Sequence, residues 1–253
     1  MFYSWIENFF VFFPDRVHEF SPGTMHMHYE DVFFQTGDGK KLHGWFFPGK
    51  PASPVLIFFH GNAGNISHRL DNVSRLLEQD LRVFIFDYRG YGKSSGRPSE
   101  KGVYRDGLAA YDYLLEKKQV PPEKIILFGR SLGAAVAAEV ALKRKARVLI
   151  MESAFTSTKD MARTMPLFAL LSPFLPANYN NMKKVAQLRI PLLIIHGRRD
   201  DIVPFAMGQR LYEAARPPKF FYPLEGAGHN DTFVVGGPAY FQTLSQFAHQ
   251  GRI

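Results

Sequence analysis

Short apolar runs separated by amphipathic stretches make up most of the chain. Val55–His60, Val83–Asp87, Ile125–Gly129, Val148–Met151, Leu192–His196 and Phe220–Leu224 are four to six residues long and read as strands. Between them Ser67–Gln79, Tyr104–Lys118, Ser131–Arg144 and Gln209–Ala215 carry helical periodicity, and Tyr240–His249 reads as a terminal helix. In the first of these helices Leu70, Val73, Leu76 and Leu77 face inward. Strands that are apolar on both faces belong to a parallel sheet covered on both sides. Upstream, Tyr29–Thr36 and Lys41–Phe47 flank the turn Gly37-Asp38-Gly39, which predicts an antiparallel edge. The pattern predicts one doubly wound α/β domain, without internal repeat or linker.

Two segments break the rhythm. Residues 1–13 (MFYSWIENFFVFF) are apolar and aromatic until Pro14 and Asp15 end the run. A membrane-spanning helix needs about 20 apolar residues, so this run is too short. It also lacks the basic start and small-residue cleavage site of a signal peptide, and Glu7 interrupts it. Phe2, Ile6, Phe9 and Phe13 share one helix face. That face fits packing on the domain or on a second subunit, insertion into a membrane surface with Trp5 as an anchor, or the end of a longer segment. The expected location is cytoplasmic or peripheral to a membrane. The second segment, about residues 153–190, holds Pro166, Pro173 and Pro176, with Met161, Met165, Leu167, Phe168, Leu170, Leu171, Phe174 and Leu175. An excursion of that length inside a compact α/β domain predicts a lid over a site.

Composition narrows the classes. Of 253 residues, 46% are hydrophobic and 21% charged, which excludes wholesale disorder. There is no cysteine, which excludes a disulfide scaffold, a thiol nucleophile and Cys-ligated metal or cluster sites. The formal charge is +8, yet no Lys/Arg run exceeds Lys143-Arg144-Lys145. The charge therefore reads as a solvated basic surface, with no nucleic-acid partner expected.

The chemistry centres on Gly129-Arg130-Ser131-Leu132-Gly133, a G-x-S-x-G pentapeptide between a buried strand and an Ala-rich helix. In that context the serine sits on a strained turn and points toward the carboxyl end of the sheet. Side chains at 129 and 133 would collide with the adjoining strand and helix. The Leu132 N–H lies at a helix start, where amides are unpaired and favour negative charge. A serine nucleophile needs a base, and the base needs an orienting acid. His229 follows the last predicted strand, and the adjacent pair Asp200 and Asp201 follows the strand before it. Ser131, Asp200 and His229 each lie just past the carboxyl end of a predicted strand, where an open α/β sheet places its site. Spacing alone does not choose between the two aspartates; the other fits a helix cap before Pro204, and Asp231 is a more distant candidate. For the developing oxyanion, His60-Gly61-Asn62-Ala63-Gly64-Asn65 offers the Asn62 N–H beside that of Leu132. His60 itself reads as a structural residue bonded to loop backbone.

Together HGNAGN, DYRGYGKS (Asp87–Ser94), GRSLG, HGRRDDIVP and GAGHND resemble the α/β-hydrolase superfamily. The nearest likeness is to serine hydrolases that include depalmitoylase-like and monoglyceride-lipase-like enzymes, many of them membrane-associated. The motifs occur in order from about Phe13 to Phe247. The resemblance favours Asp200 over Asp201 as the acid and gives Arg89 and Gly90 a structural role. Many relatives carry a transmembrane helix before a Phe-Phe-Pro-like segment; here Phe12-Phe13-Pro14 is present with a dozen residues or fewer before it. Where relatives often have a lid aspartate, this chain has Asn180.

Rival chemistries fit less well. Gly92-Lys93-Ser94 lacks the glycine a phosphate-binding loop needs five residues earlier, where Asp87 stands. His26 and His28 lie on one strand face without a third ligand, so no metal and no cofactor are expected. A dehalogenase would need a carboxylate at position 131. The expectation is a serine hydrolase with the triad Ser131, Asp200 and His229 and an oxyanion hole at Asn62 and Leu132. It would cleave carboxylic esters or thioesters of hydrophobic acyl groups, small-molecule or acylated substrates under an apolar lid. The alternatives are a serine aminopeptidase-like enzyme, for which Glu152 or Asp160 would hold a free amine, and an idle hydrolase fold serving as a membrane-associated binding protein. Membrane contact would be made through residues 1–13.

Overall fold

The computed structural model describes residues 11–164, 169, 172 and 175–253. Eight strands form one sheet: β1 (Glu30–Gln35), β2 (Lys41–Phe47), β3 (Val55–Phe59), β4 (Arg82–Asp87), β5 (Ile125–Arg130), β6 (Val148–Glu152), β7 (Leu192–Gly197) and β8 (Lys219–Leu224). Their spatial order is β1-β2-β4-β3-β5-β6-β7-β8. The β1–β2 and β2–β4 pairs are antiparallel, and all other pairs are parallel. The expected antiparallel edge is therefore present, and it joins the parallel run at β4.

Alternation along β3 shows why its sequence has no polar face. Val55, Ile57 and Phe59 enter one core cluster while Leu56 and Phe58 enter the other, and all five are fully buried. Complete burial of such a side chain contributes roughly 1.5–3 kcal/mol, so the central strands anchor the domain. The first face is covered by α2 (Glu100–Glu116), α3 (Leu132–Lys143), α5 (Asn181–Val185) and α6 (Phe205–Ala214). The second is covered by α1 (Leu70–Leu77) and α7 (Thr232–Gln250). A further helix, α4 (Thr158–Thr164), follows β6.

Several elements begin earlier than periodicity predicts. The predicted helix from Ser67 opens as a 3-10 turn, Ile66–Arg69, capped by the Asn65 side chain accepting from Ser67 N at 2.9 Å, and continues as α1. In α2 the helix starts at Glu100 rather than Tyr104, because Ser99 caps it by accepting from the Gly102 amide. Gly102 and Gly107 suppress the apparent helix propensity there. The terminal helix starts at Thr232 rather than Tyr240: two helical segments meet at Gly237 (φ 51°) and Pro238. Glycine and proline at that junction read as a stop, whereas the chain kinks and goes on.

The helix expected over residues 1–13 lies outside the described residues for positions 1–10. Its last three residues are not helical. Phe13–Pro14 runs parallel to Ala63–Gly64, the Phe13 amide donates to Asn62 O at 3.0 Å, and Asp15 N donates to Gly64 O at 3.1 Å. Phe12, rather than Phe13, enters the core: it is 3% exposed against 53%. Most of the apolar stretch expected in the lid, Met165, Leu167, Phe168, Leu170, Leu171 and Phe174, likewise lies outside the described residues. Asn180 caps α5 by accepting from Lys183 N at 2.9 Å, so the amide fills a helix-capping position here. Among the described residues no helix is long and apolar enough to cross a membrane.

Candidate active site

Loops at the carboxyl ends of β3, β5, β7 and β8 converge on one cavity of about 480 Å³. Ser131 follows β5 with φ 53° and ψ −116°, a conformation that costs a non-glycine residue roughly 1–3 kcal/mol. The flanking glycines make that turn sterically possible. A Cβ at Gly129 would stand 2.4 Å from Gly133 O, and one at Gly133 would stand 1.9 Å from Phe59 O. Both obstacles are backbone and cannot rotate away. Gly133→Ala is therefore expected to lower unfolding free energy by about 3 kcal/mol, read by urea denaturation; an unchanged midpoint would contradict the close approach.

Three side chains from distant segments meet at this turn. His229 Nε2 lies 3.2 Å from Ser131 Oγ, and His229 Nδ1 lies 2.8 Å from Asp200 Oδ2 and 3.1 Å from Oδ1. Asp200 Oδ1 also accepts from the Ile202 and Val203 amides at 3.0 and 2.7 Å. Burial alone would raise the Asp200 carboxyl, but hydrogen bonding from His196 and His229 and from the Val203 amide outweighs it. The carboxyl is held well below the usual carboxylate range, so it is ionised. Asp201 is exposed, and Asp231 accepts from the Gly228 amide at 2.7 Å as part of the loop before α7. Neither carboxylate makes the hydrogen bond to His229 that Asp200 makes.

Asn62 and Leu132 line the same cavity. Leu132 is the first residue of α3, where the helix dipole favours negative charge. Asn62 is pinned from three directions: its carbonyl accepts from Phe13 N at 3.0 Å and Tyr91 Oη at 2.7 Å, and its Nδ2 donates to Val11 O at 3.0 Å. Among the described residues, no acceptor engages the backbone amide of either. His60 is completely buried, with Nδ1 2.7 Å from Gly61 O and its ring against Tyr88 and Tyr91. Burial pushes its pKa down to about 4 despite the nearby Asp87 carboxylate, so it stays neutral at pH 7.

A buried network behind the turn escaped the sequence reading. Arg130 donates through Nη2 to His229 O at 2.7 Å and places Nε 3.2 Å from Glu152 Oε1. Thr232 Oγ1 donates to the same carboxylate at 2.7 Å, and Tyr240 Oη donates to its other oxygen. The Ser131 amide donates to Glu152 O at 2.8 Å. One buried glutamate thus ties together the serine turn, the histidine loop and α7. It is 0% exposed and committed to these partners, so it does not face a substrate amine. Asp160 is bonded to Thr156 and Arg163 and does not line the cavity. The residues were visible in the sequence; their meeting was not, because it spans four separate elements.

The two histidines considered for metal binding, His26 and His28, do not form a cluster. Among the described residues, His18, His43 and Asp87 instead bring ligand-type atoms within 4.8 Å. His18 Nε2 sits 2.7 Å from Asp87 Oδ2, and His43 Nε2 sits 2.6 Å from Asp31 Oδ1. Asp87 also accepts from Ile66 N at 3.0 Å, so the cluster fastens the N-terminal segment and the Asn62 loop to the end of β4.

The strand order, the crossover at β4–β3 and a strand–turn–helix elbow after β5 define the α/β-hydrolase fold. A family model described as the alpha/beta hydrolase fold matches residues 54–173. The alpha/beta hydrolase domain-containing protein WAV2 of Arabidopsis thaliana is 36% identical over 249 residues, covering 90% of this chain and 80% of that protein. The protein bem46 of Schizosaccharomyces pombe is 33% identical over 244 residues, covering 92% and 81%. An esterase of Pyrococcus furiosus, Pf2001, superposes with a TM-score of 0.78 at 23% identity, covering 95% of this chain and 98% of that one. The chain belongs to the α/β-hydrolase superfamily and is, by family, a hydrolase.

Proposed function

We propose that the protein is a serine hydrolase that cleaves carboxylic esters of hydrophobic acyl groups through Ser131, His229 and Asp200. The observation that carries this reading is the unbroken chain of contacts from Ser131 Oγ through His229 to an ionised Asp200, opening on an apolar-walled cavity. His229 Nε2 takes the Ser131 proton as Oγ bonds to the acyl carbon. The carbonyl oxygen becomes an oxyanion facing the Asn62 and Leu132 amides. His229 then delivers its proton to the departing alcohol oxygen, leaving an acyl-serine. Water repeats the sequence, its proton passing to His229 and back to Ser131 as the acid leaves. Asp200 holds the imidazole with Nε2 toward serine and stabilises the imidazolium.

Phe155, Thr158 and Met161, at the start of the segment after β6, wall the cavity beside Ser131. They support a lid role for residues 153–190 and an apolar acyl group as its occupant. A thioester fits the same chemistry. An aminopeptidase reading is less well supported, because Glu152 and Asp160 are both committed elsewhere. Phe13, which lines the cavity, and Val17 and Phe20 further along are 53%, 66% and 54% exposed, which supports contact between the N-terminal segment and a membrane surface.

The test is hydrolysis of p-nitrophenyl esters of increasing acyl length, reported as wild type minus Ser131→Ala. A Ser131-dependent rate that rises from short to medium chains is expected. No difference at any length would overturn the esterase reading.

A further inference from the structure

The cavity is lined by one charged group, Arg69, that makes no ion pair among the described residues. Arg69 ends the 3-10 turn after the Asn62 loop and is one of the residues lining the cavity that holds Ser131 and His229. Nη2 donates to Ala63 O at 2.6 Å, while Nε is buried with no hydrogen-bond partner among the described residues. Arg89, Arg130 and Arg144 each sit against a carboxylate. Among the described residues Arg69 makes no such ion pair.

Electrostatics points the same way. Burial pushes the Arg69 pKa down to about 10, and repulsion by Arg130 adds to that shift, each outweighing the pull of Asp87. A guanidinium is always charged at physiological pH, so the half-buried Arg69 presents a cationic donor whose Nε has no acceptor among the described residues. Arg130 cannot serve as the anion receptor, since Glu152 and the His229 carbonyl already occupy it. The other walls are largely apolar, with Val11, Phe13, Leu132, Phe155 and Val203 beside a few neutral polar groups such as Thr158 and Asn230. Among the described residues the site therefore has a largely apolar body and one cationic pole without an ion-pair partner.

We propose that Arg69 is a specificity residue that binds an anionic substituent, a phosphate or carboxylate, on the amphiphilic ester occupying this cavity. Guanidinium pairs with both groups through parallel N–H donors, and such charge-assisted bonds are about twice as strong as neutral ones. The reaction assigned to this ligand rests on the esterase reading; the binding does not.

The experiment has a binding arm and a turnover arm, both on the full chain. In the first, octyl phosphate and the neutral octyl glucoside are titrated calorimetrically against wild type, Arg69→Gln and Arg69→Lys. Octyl phosphate is expected to bind wild type about 10- to 100-fold more tightly than it binds Arg69→Gln, with Arg69→Lys in between. Octyl glucoside should not distinguish the three. Equal octyl phosphate affinity in wild type and Arg69→Gln would overturn the proposal whether or not the protein hydrolyses esters.

In the second arm, two matched pairs locate the anion. Lysophosphatidic acid is compared with the monoacylglycerol of the same chain, and the p-nitrophenyl monoester of a dicarboxylic acid with that of the matching alkanoic acid. Arg69→Gln should raise KM for the anionic member of one pair and leave kcat and the neutral esters unchanged. A preference in the first pair assigns the anion to the alcohol side, and one in the second assigns it to the acyl side. An equal fall in kcat for charged and neutral esters would contradict recognition and make Arg69 a positioning residue acting through the Ala63 carbonyl. Absence of Ser131-dependent turnover alongside Arg69-dependent octyl phosphate binding would overturn the esterase reading and retain the anion site.

Discussion

Ser131→Ala is expected to lower ester turnover by roughly a millionfold while leaving the thermal midpoint unchanged. The size of the effect follows from the roles proposed for the three side chains. Without Oγ there is no group for His229 to deprotonate, so the histidine and aspartate lose their function together, and only binding and the oxyanion donors remain. Stability should hold because Oγ makes one contact, the 3.2 Å bond to His229, and alanine keeps the same Cβ on the same strained turn. Full activity in this variant would remove serine chemistry from the account. Loss of activity with a lowered midpoint would mean that the turn had collapsed, so the two readouts belong together.

The second large effect separates two adjacent carboxylates. Asp200→Asn should lower kcat by about 10⁴, whereas Asp201→Asn should leave kcat unchanged. Asparagine at 200 is isosteric and keeps an oxygen to accept from Ile202 and Val203, so the loop stays in place. What changes is the partner of His229 Nδ1, 2.8 Å away. An amide neither stabilises the imidazolium nor, with its NH2 facing the ring, fixes the tautomer that leaves Nε2 free to accept the serine proton. Asp201 is exposed and makes no contact with the ring. Steady-state kinetics on both variants decides the matter, and the reverse ranking would move the acid by one residue.

Local signals made much of this architecture readable from sequence. VLIFF is buried on both faces, and a strand with no polar side has only one place in an open sheet. Gly129 and Gly133 announced a close approach that the fold realises as backbone against backbone. The three triad candidates stood at strand ends, and strand ends in this topology share one edge. Distant partners and special backbone were harder. The continuation of α7 through Gly237 depends on a kink that glycine and proline also signal when a helix stops. The pairing of Phe13–Pro14 with Ala63–Gly64 joins residues fifty positions apart, and no periodicity within either segment encodes it. The Arg130–Glu152–Tyr240 network is invisible for the same reason, since each residue alone resembles an ordinary surface or core position. Arg69 is the sharpest case. In sequence it is one basic residue among 31, and only its position in the cavity, with a buried Nε that has no hydrogen-bond partner among the described residues, distinguishes it.

The central claim is that Ser131 is a nucleophile activated by His229, and covalent labelling reads it directly. The full chain is treated with a fluorophosphonate, which reacts with activated serines, and the adduct is located by peptide mass spectrometry. The account predicts a stoichiometric phosphonyl adduct on Ser131 that is absent in His229→Ala. No adduct, or one on another serine, would contradict it.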